Sequence, residues 1–477
     1  MALLAVAATA ACSKKSSPSQ DQEDGPQGVQ DQPASKTPVP SKLPWLSDDW
    51  PRALAEAAQR NKPIFVDMWA PWCHTCLSMK QHVFTDPALA PYRDRFVWLE
   101  MDTDKPEAAP VLEKLEVHTW PTFFIVSPDG KTVHARHLGG GSTTQMRAVL
   151  DQGEKSHMAV MAQAGGLDAQ SPLGLVAAGD RAAAAGDYAA ADIAYGKALD
   201  AAPEDWPRTA DVLLKQIEAK AKRGDALGCA ELGLRKNRAA TKSGTASGTD
   251  FGYYARDCAS ALDDPRARLL RGQLIESVSK VVETPEAPLS VDDRSDAFKL
   301  LRQLSDDLLD PESAEIYATR QKTLLDRAVN DAPDALVRLT HIWPRMEVYL
   351  YLKQADKLVP EMAQAEKDLP DHYEPPYRLA SLLVSLGRLD EAEAAALRAE
   401  KLVYGPRKAN VFKLYAAIAA ARNDAEAERQ AWQKVIQFLE SLPPGHARPD
   451  SLQSAKDSLA AVGKAAGKVP PGKDAPR

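Results

Sequence analysis

Asp67-Met68-Trp69-Ala70-Pro71-Trp72-Cys73-His74-Thr75-Cys76 is the segment that most strongly indicates the fold of the first part of this chain. The residues before it, 62–66, are mostly apolar, β-branched or aromatic and predict a buried strand. Met79 and Val83 follow at helix-compatible spacing. Cys73 is therefore expected where a strand meets a helix N-terminus. The unpaired N–H groups and the helix dipole at that position favour a thiolate, which is the nucleophile of disulfide exchange.

These residues resemble the thioredoxin superfamily. The continuation is most similar to the periplasmic C-terminal thioredoxin-like domain of bacterial transmembrane disulfide-interchange reductases. That similarity is carried by Val83-Phe84-Thr85-Asp86-Pro87, by residues 96–102, and by residues 120–126, which resemble the cis-proline strand of the family. The resemblance covers roughly residues 45–152 and implies an α/β thioredoxin fold.

The resemblance also implies roles for three residues near the strand end. Cys73 is the attacking thiol, and Cys76 is the resolving thiol that breaks the mixed disulfide. Asp67 lies in a strand expected to be covered on both faces. Because burial disfavours its charge, its pKa should be raised, and it is predicted to accept the Cys76 proton as general base.

Four further residues complete the predicted site. Trp72, Trp120 and Pro121 are assigned to substrate binding, with Trp72 shielding the sulfurs and Pro121, if cis, holding an extended substrate strand. His74 departs from the Gly-Pro linker of thioredoxin. A protonated imidazole there stabilises the thiolate and makes the pair more oxidising; the alternative is a solvated helix residue. The direction of electron flow therefore stays open.

A Cys-x-x-Cys motif is also half of some zinc sites, but zinc needs further ligands. Cys229 and Cys258 are distant and do not form a second such motif. We therefore expect redox chemistry, with no metal and no cofactor. Cys229 and Cys258 fall in adjacent predicted helices, and either they form a structural disulfide or they are two buried thiols.

The bulk properties exclude some classes. The chain has 477 residues, a net charge of −7 and no basic stripe, so nucleic acid is not an expected partner. No apolar run reaches the ~18–20 residues of a membrane-spanning helix.

The N-terminus resembles a bacterial lipoprotein signal. Residues 1–11 are the predicted signal peptide, Cys12 is the predicted lipidated residue, and residues 12–44 are a predicted disordered tether. Thr9 departs from the usual lipobox. Ordinary cleaved secretion and an uncleaved or cytosolic chain are the alternatives. The expected location is the periplasm or cell envelope, with a lipid anchor.

The rest of the chain resembles tetratricopeptide repeats. Residues 172–205 carry Gly179, Tyr188 and Tyr195 at repeat positions, and residues 373–406 form a second copy. Two interruptions, 239–250 and 283–291, are predicted long loops. The chain is thus divided into a thioredoxin-like domain (45–152), a linker (153–172), an all-α helical solenoid (173–463) and a disordered tail (464–477).

Two functions follow from this organisation. The first is an envelope thiol–disulfide oxidoreductase that exchanges disulfides with protein clients, which the repeats position. A transmembrane disulfide reductase is a partner implied by the resemblance. The alternative is a repeat-based envelope scaffold or protein-binding lipoprotein with an accessory thioredoxin-like domain.

Overall fold

The computed structural model describes residues 43–161 and 166–463. The predicted signal peptide, the lipidation site at Cys12, nearly all of the tether and the predicted tail lie outside the described residues.

The first part of the chain is built on one mixed five-stranded sheet in the order β1-β3-β2-β4-β5. β1 and β2 run parallel to β3, while β4 pairs antiparallel with both β2 and β5. The strands are β1 Trp45–Ser47, β2 Ile64–Trp69, β3 Val97–Asp102, β4 Thr122–Val126 and β5 Val133–Leu138. The helices of this part are α1 Trp50–Arg60, α2 His74–Ser78, α3 Ala109–Leu112 and α4 Thr143–Val160.

Alternation along β2 places its side chains in two separate cores. Ile64, Val66 and Met68 pack into the core that includes α1 and α3, whereas Phe65 packs into the core that includes residues of α4. Because successive strand residues point to opposite faces, Asp67 shares the face of Phe65. The π-helical turn Met79–Val83, which continues α2, contributes Met79 and Val83 to that same core.

The last helix of this part runs past residue 152, the predicted end of the domain. Val149 and Leu150 of α4 pack on the sheet, and Gln152, Ser156 and His157 are also buried. Residues 153–160 are therefore helical rather than linker.

Within residues 166–463 about 16 helices follow, and most successive helices pack against one another. A Cβ added to Gly179 would lie 2.5 Å from Cε1 of Tyr195, so the close approach of the first two helices needs glycine there. The predicted fold class, an α/β thioredoxin fold followed by an all-α region, is confirmed. The helices are α5 Pro172–Ala184, α6 Tyr188–Ala201, α7 Thr209–Lys222, α8 Ala226–Thr241, α9 Ala246–Cys258, α10 Asp264–Glu283, α11 Val291–Asp307, α12 Pro311–Asp331, α13 Ala335–Thr340, α14 Ile342–Tyr351, α15 Val359–Asp368, α16 Glu374–Ser385, α17 Leu389–Leu402, α18 Lys408–Ala421, α19 Ala425–Glu440 and α20 Pro449–Ala461.

One loop prediction was wrong. Residues 239–250, rich in Gly, Ser and Thr, mostly belong to the ends of α8 and α9 rather than to a long loop. A Cβ on Gly248 would lie 2.6 Å from the carbonyl oxygen of Ala240, so small residues serve close helix packing here. The loop predicted at 283–291 does separate α10 from α11.

The helical region contacts the sheet region at several points along its length. α5 and α7 pack on β5, α11 and α13 pack on α2, and the turn Pro444–His446 packs on α3. β5 is an edge strand, yet all of its residues are buried because these helices cover it. Among the helices described, none combines the length and apolar character needed to cross a membrane.

Candidate functional site

Cys73 and Cys76 form a disulfide at the start of α2, with their Cα atoms 5.2 Å apart. Cys73 is the N-cap residue, and its sulfur accepts a hydrogen bond from the backbone N–H of Cys76 at 3.0 Å. This N–H is one of those that a helix N-terminus leaves without a backbone partner. The two cysteines are only 4% and 1% exposed. The structure therefore encloses the predicted redox pair.

Two of the three residues predicted to bind substrate, Trp72 and Trp120, lie beside Cys73. The Trp120–Pro121 peptide bond is cis. The Trp72 and Trp120 rings have their centroids 5.3 Å apart, and the Trp120 indole donates to Thr103 Oγ1 at 2.8 Å. Trp72, Trp120 and Cys73 all line the same cavity.

Trp72 is held from both parts of the chain. Its indole N–H donates to Asp104 Oδ2 at 2.9 Å, and the Tyr373 hydroxyl donates to the same oxygen at 3.3 Å. The Arg407 guanidinium lies over the Trp72 ring, 4.5 Å from its centroid. Burial and the neighbouring Asp102 raise the pKa of Asp104 to about 7. Sequence reasoning missed this contact, since no local pattern links residues 269 positions apart.

Asp67 is buried at 1% exposure, and its Oδ1 atom has no hydrogen-bond partner. Burial raises the pKa of Asp67 to about 7; the Lys80 cation opposes this rise and the Glu100 carboxylate adds to it. A carboxyl group with a pKa near neutrality can both accept and release a proton under physiological conditions. This is the property that the predicted general base needs.

His74 is paired with a residue of the helical region. Its Nδ1 atom lies 2.7 Å from Oδ1 of Asp292, and the hydroxyl of Thr75 donates to Asp292 Oδ2 at 2.9 Å. Burial opposes a charge on His74, but the Asp292 and Asp296 carboxylates outweigh it and raise the pKa of His74 to about 9. The alternative of a solvated helix residue is therefore wrong: His74 is 21% exposed and ion-paired.

His74, Asp292 and Asp296 also bring ligand-type atoms within 4.8 Å of one another. Both Asp292 oxygens are already engaged by His74 and Thr75. The contacts of this group are thus those of an ion pair and a hydrogen bond.

A cavity of about 260 Å³ opens onto Cys73. Its walls come from the sheet region and from α9, α11, α14 and α16. From the sheet region, Cys73, Thr75 and Trp120 face it. The charged residues of its helical wall are Asp250, Asp293, Asp296, Lys299, Glu347 and Arg378.

Cys229 and Cys258 form a second disulfide, which joins α8 to the end of α9 with Cα atoms 6.0 Å apart. Both residues belong to the apolar core shared by α7 to α11. Their role is that of a crosslink within the helical region.

Comparisons with known proteins agree with this arrangement of the Cys73–Cys76 site. Residues 44–128 match a family described as thioredoxin-like. The chain is 33% identical over 89 residues to the thiol:disulfide interchange protein DsbD of Vibrio vulnificus, an alignment that covers 18% of this chain and 15% of that protein. It is 26% identical over 133 residues to the chloroplastic thioredoxin-like protein CITRX of Oryza sativa subsp. indica, covering 26% of this chain and 68% of that protein.

The chain thus spans only a small fraction of the DsbD protein that it resembles. A solved tetratricopeptide repeat protein from Parabacteroides merdae aligns with 61% of this chain and 99% of its own, with a TM-score of 0.38 and 15% identity. The family match shows that residues 44–128 form a thioredoxin-like domain, and within the described residues about 16 helices follow it.

Proposed function

We propose that this protein is a thiol–disulfide oxidoreductase of the cell envelope that acts on protein clients through Cys73 and Cys76. The observation that carries the proposal is the Cys73–Cys76 pair at the N-terminus of α2, facing a cavity beside the cis-Pro121 segment. A thiolate at Cys73 is favoured by the N–H of Cys76, which donates to its sulfur.

In the reducing direction, the Cys73 thiolate attacks one sulfur of a client disulfide. A bond forms between Cys73 and that sulfur, and the other client sulfur leaves as a thiolate. Cys76, once deprotonated, then attacks Cys73. This forms the Cys73–Cys76 disulfide and releases the second client thiolate. Two electrons have passed from the cysteine pair to the client, and a dithiol donor must return them.

We assign Asp67 as the general base that accepts the proton of Cys76. Its side chain shares the sheet face that the turn Met79–Val83 covers, and its pKa of about 7 suits proton transfer near neutral pH. Lys80, whose charge acts on Asp67, lies one helical turn after Cys76. Protonated Asp67 would in turn return a proton to Cys76 when the pair is reduced again.

The enclosure of the cysteines limits how a client reaches them. Since Cys73 is 4% exposed, the flat surface of a folded client cannot meet its sulfur without movement of the helices. The cavity of about 260 Å³ admits an extended segment or a small disulfide. We therefore propose that the helical region positions clients that present their cysteine on a flexible segment.

The direction of exchange depends on the partner. We propose an electron-donating membrane reductase as partner, and the similarity of residues near the site to a thiol:disulfide interchange protein supports disulfide exchange with such a partner. The imidazolium of His74 supports the opposite bias, since it favours the reduced, thiolate form of the pair. Incubation of the reduced chain with a disulfide-bonded client, and of the oxidised chain with a dithiol client, would separate the two directions.

A lipid anchor at Cys12 in the periplasm is part of the proposal. The Cys229–Cys258 disulfide supports an oxidising compartment, where structural disulfides persist. Labelling of cells with radioactive palmitate tests the anchor. We expect label on the wild-type chain and none on Cys12→Ser; equal labelling would contradict the anchor.

The catalytic claim is tested with the purified chain and a disulfide-bonded protein substrate in the presence of dithiothreitol. Cys73→Ser should lose the acceleration over dithiothreitol alone. The double variant Cys229→Ala/Cys258→Ala is the matched control, because it also removes a disulfide but leaves the Cys73–Cys76 pair in place. Equal rates for wild type and Cys73→Ser would remove the catalytic claim.

The scaffold alternative is favoured by one observation, the burial of both site cysteines. The two functions differ in a trapping experiment. Cys76→Ser should stall exchange as a covalent adduct of a client with Cys73, identified by mass spectrometry in envelope extracts. Proteins recovered equally with Cys73→Ser/Cys76→Ser would instead be bound by the helices.

A further inference from the structure

We propose that Asp292, in the helical region, is a positioning residue that sets the reduction potential of the Cys73–Cys76 pair. It does so by holding His74 and Thr75, the two residues between the cysteines. The inference rests on the proposed function, because it assigns the redox pair of that function a tuning group from outside the thioredoxin-like domain.

The geometry is specific to the dipeptide between the cysteines. Asp292 is the second residue of α11 and is 1% exposed. One carboxylate oxygen lies 2.7 Å from His74 Nδ1 and the other accepts the Thr75 hydroxyl at 2.9 Å. Each of the two residues between the sulfurs therefore meets its own oxygen, and no oxygen of Asp292 is left over.

Contacts between the elements fix this arrangement. Both α11 and α13 pack on α2. The Asp292 carboxylate therefore belongs to a helix that is docked against the helix of the two cysteines. The ion pair with His74 compensates the buried charge of the Asp292 carboxylate, because an isolated buried charge is costly. The charge state of His74 thus depends on a residue 218 positions away.

Other charged groups face the same pair. Asp296 and Lys299 lie on α11, His341 precedes α14, and Glu347 lies on α14. Asp296 adds to the stabilisation of the imidazolium, whereas Lys299 opposes it. The direct contact is that of Asp292, whose own pKa is lowered by His74.

The consequence for the redox pair follows from charge. Reduction adds two electrons to the Cys73–Cys76 disulfide and yields a Cys73 thiolate and, with one proton, a Cys76 thiol. An adjacent imidazolium stabilises the thiolate, so it stabilises the reduced form and raises the potential. When Asp292 is replaced by asparagine, no carboxylate in contact with His74 offsets the cost of burying its charge. His74 then becomes neutral. The reduced form then loses this stabilisation.

The test is the thiol–disulfide equilibrium of the full chain with reduced and oxidised glutathione, read by mass spectrometry of the Cys73–Cys76 peptide. Asp292→Asn should shift the equilibrium about tenfold toward the disulfide, which corresponds to about 30 mV. The pKa of the Cys73 thiol, from the pH profile of its alkylation, should rise. His74→Asn should give a shift of similar size, and His74→Asn/Asp292→Asn should add little to either.

Tyr188→Phe is the matched control. It removes a 2.8 Å hydrogen bond from the helical region to Glu116 of the sheet region, away from the two residues between the cysteines. It should leave the equilibrium within twofold of wild type. A shift equal to that of Asp292→Asn would mean that the docking of the helices, rather than the Asp292 contact, sets the potential.

Two outcomes overturn the inference: an Asp292→Asn equilibrium within twofold of wild type, or additive effects of His74→Asn and Asp292→Asn. If Asp292→Asn does not fold, His74→Asn and Thr75→Val carry the test from the other side of the contact. Since the equilibrium needs no client turnover, a wild-type chain that lacks activity on clients would defeat the proposed function and leave this measurement intact.

Discussion

Arg136 on β5 donates two hydrogen bonds to Glu218 on α7, at 2.7 and 2.8 Å, and both side chains are fully buried. This bidentate pair joins the sheet region to the helical region in the interior of the protein. Two buried charges are tolerated only when each satisfies the other, so the pair ties the docking of α7 to the integrity of β5.

Glu218→Gln should destabilise the protein by about 3–5 kcal/mol, because it leaves the buried Arg136 charge without a counter-ion. Urea unfolding should be followed by tryptophan fluorescence and by far-ultraviolet circular dichroism. Glu391→Gln, in the exposed pair with Arg388, is the control and should cost less than about 1 kcal/mol. Similar losses in the two variants would show that the buried pair does not carry the docking.

The same experiment tests whether the two regions unfold together. Six of the nine tryptophans lie in the sheet region, whereas circular dichroism mainly reports the helices. Coincident transitions are expected, because helices from both ends of the helical region contact the sheet region. Separate transitions would contradict this coupling.

Asp67→Asn should stabilise the oxidised protein increasingly as the pH rises from about 4 to about 7. Over this range the carboxyl group of the unfolded chain ionises at its ordinary pKa of 3.8, while the native group stays protonated until its pKa of about 7. The native state of the wild type therefore loses stability as pH rises, and asparagine avoids that loss. Thermal unfolding at pH 4.5 and pH 8 measures the difference.

Asp371→Asn, at an exposed position, is the control for Asp67→Asn and should show the same effect at both pH values. The activity of Asp67→Asn should move the other way and fall about 10²-fold, since the resolving step loses its general base. A gain in stability that is independent of pH would refute the assignment of a raised pKa.

Removing the second disulfide should destabilise the helical region. Cys229 and Cys258 are 29 positions apart, and closing a loop of that length restricts the unfolded chain by about 3–4 kcal/mol. Cys229→Ala/Cys258→Ala should lower the midpoint of urea unfolding accordingly. An unchanged midpoint, or free thiols at both positions in the unreduced wild type, would contradict a structural role.

Reagents should reach reduced Cys73 according to their size. Iodoacetamide fits the cavity of about 260 Å³, whereas a maleimide on a polymer chain requires the helices to move away. We expect the polymer reagent to react at least ~10-fold more slowly, the factor that about 1.4 kcal/mol of local opening imposes. Peptide mapping of Cys73 gives both rates, and an unfolded sample provides the unhindered reference.

Local features of this chain were predictable because they depend on near neighbours. The buried strand, the turn and the Cys-x-x-Cys helix follow from residue types at fixed spacing, and the structure places Cys73 at the N-cap of α2. Gly179 and Tyr195 likewise meet because two consecutive helices must pack closely. The prediction of a long loop at 239–250 also relied on local residue types, and it was wrong. The small residues there permit close packing of α8 and α9.

Local sequence patterns specify the redox motif, the sheet that carries it and the helical character of the rest. The contacts of Asp292 with His74 and of Tyr373 with Asp104, and the enclosure of the cysteines, arise only from the packing of the complete chain. Those contacts join positions 218 and 269 residues apart. Each contact depends on how many successive helices pack one after another. No local sequence pattern specifies that combined arrangement.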